Sequence, residues 1–126
     1  MSAASPPQFF GIRVAGVLVA VVGLELSQSI GLLRSLAVSP TFRGRGLAQE
    51  LLAFAETYAA SHGARSLFLL TTTAEAFFLK FGYLAASRQD APQVIQATPQ
   101  FSGLCPSSAV FLSKQLAPGQ RRDISE

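Results

Sequence analysis

The sequence predicts an α/β chain whose mostly antiparallel sheet is built around one central strand–helix–strand unit. Three observations predict it. Apolar segments rich in Val, Leu and Phe follow one another over Gln8–Val14, Val17–Leu26 and Leu32–Val38, with short polar breaks between them. A stretch with apolar residues at helical spacing then runs over Leu47–His62. A short apolar strand, Ser66–Leu70, comes directly after it. At 126 residues the chain has room for one domain with its own core.

Each element has its own signal. Residues 1–7 read as a loose leader ending in Pro6-Pro7. Ala15-Gly16 between the first two strands is a hairpin turn, and Ser27–Gly31 is a polar loop before the third. Ser39-Pro40 ends that strand, and Thr41–Gly46 leads into the helix. Leu47, Leu51, Phe54, Ala55, Tyr58 and Ala59 line one helical face, and Gly63 stands where a left-handed C-cap belongs. Ser66–Leu70 is apolar throughout, as a strand covered on both faces should be. With Leu32–Val38 it makes a parallel pair joined by a right-handed crossover. Thr72–Phe81 reads as a second helix stopped at Gly82. Tyr83–Pro106 is less regular, broken by Pro92, Pro99 and Pro106; Ser108–Leu116 is a final strand and 117–126 a polar tail.

Composition narrows the function. Apolar residues make up 49%, ten of them Phe, and charged residues only 13%, which argues against disorder and suggests extensive burial or an additional buried interface. Net charge is +3, without the dense basic stripe of a nucleic-acid binder. One cysteine, Cys105, and one histidine, His62, exclude an internal disulfide framework and a multi-histidine metal site. The N-terminus carries no secretory signal, and Val17–Leu24 is too short to span a bilayer, so a cytoplasmic protein that contacts neither membrane nor nucleic acid is expected.

The chemistry gathers in Arg43-Gly44-Arg45-Gly46-Leu47-Ala48. A strand-to-helix loop directs backbone amides and the helix dipole at an anion. Two glycines let the backbone approach, and two arginines can pair with phosphate oxygens. A P-loop would need Gly-Lys-Ser/Thr, and a dinucleotide fingerprint would need Gly or Ala where Gln49 stands. Both readings fail.

The pattern of Arg43, Gly46 and Ala48 resembles the Gln/Arg-x-x-Gly-x-Gly/Ala signature of the GCN5-related N-acetyltransferase (GNAT) superfamily. Leu33-Arg34-Ser35-Leu36-Ala37-Val38-Ser39-Pro40 is similar to that family's central strand, and Ala76–Tyr83 to its later helix with an aromatic-x-x-x-Gly-aromatic ending. The likeness covers about Phe9–Leu116. The central strand and Leu69-Leu70-Thr71-Thr72-Thr73 look like N-acetylglutamate synthase catalytic domains. The Gln100–Ala109 run, with Leu104-Cys105-Pro106, adds a likeness to acetyltransferases of arsenic-resistance gene clusters.

This resemblance implies a bulged central strand, a V-shaped splay against the next parallel strand, and acetyl-CoA lying in the slot. Cofactor contacts would fall on Leu36, Ala37, Val38, Arg43, Gly44, Arg45, Gly46, Leu47, Ala48 and Phe78, with the Leu36 backbone N–H polarising the thioester carbonyl. No metal is implied. The tyrosine that often protonates the departing thiolate falls at Phe78, which has no proton to give. Family members begin with a strand and two helices that wall the acceptor site. Few residues precede Gln8, so the expectation is a truncated front, and an acceptor pocket that is open or completed by a second chain in a homodimer.

Several residues carry two readings. Arg34, mid-strand, holds an acceptor carboxylate or forms a structural ion pair with Glu25 or Glu75. Glu25 is a general base or a solvated strand-end charge. Thr71, Thr72 and Thr73 bind the acceptor or pantetheine, or cap a helix. Cys105 lacks an evident partner and reads as an inert thiol. The expected function is acetyl transfer from acetyl-CoA to the amino group of a small molecule, an amino acid or analogue. The rival is a non-catalytic acetyl-CoA-binding module.

Overall fold

The first hairpin turns where Ala15-Gly16 announces it. Strand β1 (Gln8–Val14) pairs antiparallel with β2 (Val17–Ser27), and both turn residues take positive φ, +52° and +82°, which matches the right-handed twist of the flanking strands. The computed structural model describes residues 7–87, 89, 91–96 and 109–116. Cys105 and the other residues of 100–108, the leader 1–6 and the tail 117–126 lie outside them.

The second hairpin is tighter than the sequence suggests. β3 (Ile30–Val38) begins two residues early, with Ser27 opposite Ile30, so the expected loop Ser27–Gly31 contracts to Gln28-Ser29. Gly31 is already inside the strand. A Cβ there would stand 2.5 Å from Leu67 Cδ2, so this glycine admits the neighbouring strand rather than making a turn.

A 3₁₀ turn (Pro40–Phe42) leads to α1 (Leu47–Ser61), with Gly63 at φ +94° just beyond its end. Leu51, Leu52, Ala55 and Ala59 of α1 are buried against Val22, Leu24 and Leu33. Phe54, assigned to the buried face by periodicity, stays half-exposed, meeting Phe10 edgewise and stacking beside Tyr58 instead. β4 (Ser66–Thr71) runs parallel to β3, completing the crossover. Next come α2 (Glu75–Lys80), β5 (Leu84–Ala85), α3 (Gln93–Gln96) and β6 (Val110–Gln115).

The second helix is shorter than expected. β4 keeps its pairing as far as Thr71 opposite Val110, and the Thr71 hydroxyl oxygen accepts the Ala74 amide at 3.0 Å, so Thr72–Ala74 form a turn. β5 and α3 lie in the stretch read as irregular. Strands of two residues and helices of four leave too few positions for any periodicity to register.

The six strands form one sheet in the order β1-β2-β3-β4-β6-β5, with β3 and β4 as its parallel pair. α1 covers one face; on the other, Ala91 and Ile95 pack with Leu32 and Phe111. Among the described residues, no helix is long and apolar enough to cross a membrane.

Candidate active site

The parallel pair carries the feature that matters most. β3 and β4 are in register only at Ile30–Leu32 against Ser66–Phe68, although both strands continue beyond. Past Leu32 they splay. A bulge accompanies the splay: Val21 and Gly23 of β2 face Ala37 and Arg34 of β3, so three steps on β3 span two on β2. Ser35, within the bulge, takes φ +61°, a left-handed conformation that costs a non-glycine residue about 1–2 kcal/mol.

The splay opens a cleft of about 260 Å³. Arg34, Ser35 and Leu36 line it from β3, Thr71 and Thr72 from β4 and the turn beyond, and Phe78 from α2. Phe78 is 5% exposed, wedged edgewise against Phe77 and Tyr83. It offers an apolar wall and no hydroxyl. The cleft hydroxyls belong to Ser35, Thr71, Thr72 and Thr73.

The Arg43–Ala48 loop lies where β3 hands over to α1. Gly44 and Gly46 take φ +78° and +81°, and Gly46 is the helix N-cap. No side chain caps this end. The first intrahelical bond runs from the Glu50 amide to the Gly46 carbonyl (3.0 Å), so the preceding amides of the first turn have no acceptor within the helix. Arg43 Nε donates to the Val38 carbonyl (3.2 Å), and the Arg45 guanidinium lies 4.7 Å over the Phe42 ring. Both arginines are exposed and held against this loop. Amides, dipole and two cations therefore meet in the loop where the sequence reading expects an anion.

On the sheet face away from α1, Arg34 forms an ion pair with Glu25. Glu25 is 11% exposed at its side chain and Arg34 28%. Among the described residues Glu25, not Glu75, is paired with Arg34, and Arg34 also lines the cleft, so the two readings of this arginine coexist.

A second ionic cluster was not foreseen. Lys114 Nζ donates to both Glu56 oxygens (3.0 and 3.1 Å) and to the Phe81 carbonyl (2.9 Å), while Tyr83 Oη donates to Glu56 Oε2 (2.8 Å). Burial, and secondarily the Glu56 carboxylate, push the Tyr83 phenol far above its ordinary range. The cluster ties α1, the end of α2 and β6 together behind Phe78 and does not line the cleft.

Sequence reasoning overlooked Ser35; Thr73 it groups with Thr71 and Thr72, and all three line the cleft. The only trace of Ser35 in the sequence is a small polar residue beside Arg34 in a strand whose other members are apolar or glycine.

The sequence model of the acetyltransferase (GNAT) family matches residues 2–83. An amino-acid acetyltransferase of Ralstonia nicotianae is 36% identical over 66 residues, 52% of this chain and 15% of that protein. The N-acetylglutamate synthase of Neisseria gonorrhoeae, solved with coenzyme A and N-acetyl-glutamate, superposes with TM-score 0.77 at 25% identity over 86% of this chain and 26% of its own. A GNAT-family acetyltransferase of Staphylococcus aureus gives TM-score 0.73 at 20% identity, over 88% of this chain and 68% of its own. The chain thus spans about a quarter or less of the first two proteins and most of the third. With half of the sequence and more under the family's signature, and the splayed, bulged sheet beneath it, the chain belongs to the acetyltransferase (GNAT) family.

Proposed function

We propose that the chain transfers the acetyl group of acetyl-CoA to the amino group of a small molecule, an amino acid or amino-acid analogue. The observation that carries this reading is the cleft between β3 and β4, with an uncapped helix N-terminus and two arginines where β3 ends. The loop 43–48 is suited to the pyrophosphate, with Gly44, Gly46, Leu47 and Ala48 supplying backbone and Arg43 and Arg45 charge. The thioester arm would run along Leu36, Ala37 and Val38 toward Phe78, whose apolar face suits the pantetheine chain.

The chemistry needs no covalent enzyme intermediate. The acceptor amine, deprotonated, attacks the thioester carbonyl carbon; its oxygen is stabilised by the Leu36 backbone N–H; the C–S bond breaks as the C–N bond is kept. Glu25 takes the proton that the amine loses, and Arg34 holds the acceptor carboxylate. Thr71 and Thr72 face the acceptor from the opposite strand. Coenzyme A leaves as a thiolate that takes its proton from water or a cleft hydroxyl, since Phe78 has none.

Phe78 also favours a second reading, a module that binds acetyl-CoA without turnover. Thiol release from acetyl-CoA across a panel of amino acids separates the two. Acceptor-dependent release is expected; tight acetyl-CoA binding with no release above the hydrolysis background supports the module.

We further infer a homodimer. Val14, Val17 and Leu18 are exposed together at the tip of the β1–β2 hairpin, and β1 is an edge strand. Clustered apolar side chains beside an open edge favour a self-complementary contact.

A further inference from the structure

Phe9, Gly23 and Arg34 stand directly opposite one another across β1, β2 and β3. Their neighbours Phe10, Val22 and Leu33 pack with α1, so this row faces away from that helix. Gly23 makes the row unusual. A Cβ there would lie 2.7 Å from Phe9 Cε1 and 2.8 Å from Arg34 Cγ, so the ring and the arginine stem lean together over the bare backbone. Glu25, two residues along β2 on the same face, pairs with Arg34. Phe9 is nonetheless 58% exposed, a phenyl ring left in water beside an ion pair.

We infer that Phe9 is a specificity-determining residue: its ring is a shelf for the side chain of the acceptor, which is an α-amino acid with an uncharged, apolar side chain. The inference rests on the acetyl-transfer reading above and deepens it. An α-amino acid offers a carboxylate and an amine on one carbon, the complement of Arg34 and Glu25 side by side. With those two groups engaged, the side chain leaves toward the exposed ring of Phe9, which with the Arg34 stem covers Gly23. Along this part of the face the described residues are Phe9 and Gly11 on β1, Val21, Gly23 and Glu25 on β2, and Leu32 and Arg34 on β3. Their only charges are the mutually paired Glu25 and Arg34. A second carboxylate, as in glutamate, would lie against a phenyl ring with no further cation among the described residues of this face.

The test compares initial rates of acetyl-CoA consumption with L-leucine, L-methionine, glycine and L-glutamate, for the wild-type chain, Phe9→Ala and Phe9→Leu. Acetyl-CoA affinity is measured on all three by calorimetry. Wild type should favour leucine and methionine over glutamate by about tenfold or more in kcat/KM. Phe9→Ala should lose about tenfold on leucine and methionine, Phe9→Leu should retain most of it, and glycine turnover and acetyl-CoA affinity should not move. Preference for glutamate, or an equal loss for glycine and leucine in Phe9→Ala, overturns the shelf while leaving acetyl transfer standing. Absence of acceptor-dependent thiol release with every amino acid in wild type overturns the acetyl-transfer reading, and the shelf with it.

Discussion

Arg34 joins the sheet to the cleft. Its stem lies over Gly23, its guanidinium meets Glu25, and it also lines the space between the splayed strands. Arg34→Ala is expected to raise the acceptor KM by at least about tenfold and leave acetyl-CoA affinity nearly unchanged, because it removes a charge from one side of the cleft only. The variant also strands a mostly buried Glu25, at a cost to stability of about 1–3 kcal/mol, readable as a lower urea midpoint. A matching loss of acetyl-CoA binding would move Arg34 out of the acceptor half. Tyr83 gives a pH-dependent test at the same scale. Its phenol stays protonated in the fold well above the pH at which a free tyrosine ionises, because burial and Glu56 oppose the anion. The unfolded chain therefore releases this proton from about pH 10 upward while the folded chain keeps it, so stability is whole below that pH and falls above it. The stability advantage of wild type over Tyr83→Phe in urea titrations should hold up to about pH 10 and shrink beyond it.

Among the elements, the bulge in β3 carries the sharpest expectation. Ser35 occupies a left-handed conformation that β-branched residues adopt at high cost. Ser35→Val should lose about 2 kcal/mol by urea denaturation, whereas Ser35→Gly should lose little, since glycine takes this φ freely. Gly46 obeys the same rule at the helix start: space around it is open, so a bulky replacement acts through its φ of +81°, reshaping the loop rather than the core. Gly46→Val should abolish acetyl-CoA binding by calorimetry with circular dichroism unchanged. Most elements were legible in the sequence for reasons these positions illustrate. Ala15-Gly16, Gly63 and the α1 face each announce themselves within a few residues. The bulge does not, because Ser35 is compatible with an ordinary strand and its conformation is set by pairing with β2. Phe54 misled periodicity because the helix face it shares with Tyr58 runs past the edge of the sheet at β1. The ionic cluster of Glu56, Tyr83 and Lys114 was invisible for a related reason: its members are far apart in the chain, and only the packing of three elements unites them. The proposed anion loop is the reverse case, with every residue it invokes inside six positions, 43–48.

For the whole molecule, assembly is the open physical question that solution measurement answers directly. Light scattering at micromolar concentration should report twice the chain mass of 13.3 kDa. Val17→Glu, at the exposed hairpin tip, should shift the particle toward a monomer without changing the far-ultraviolet spectrum.

The seam between β3 and β4 has a consequence for how order is distributed through the sheet. In most sheets the central strands surrender their amide protons last, since they are hydrogen-bonded on both sides. Here three register positions join the two halves, and beyond them, among the described residues, each strand keeps only its outer neighbour. The middle of this sheet is thus, in part, a pair of inner rims. Without ligand, the backbone protons that point into the slot should exchange with solvent on the timescale of edge strands, while those of β2 and of β4 toward β6 persist. Any molecule that fills the slot with its own amides would slow that exchange, acting for the protein as a strand it does not encode.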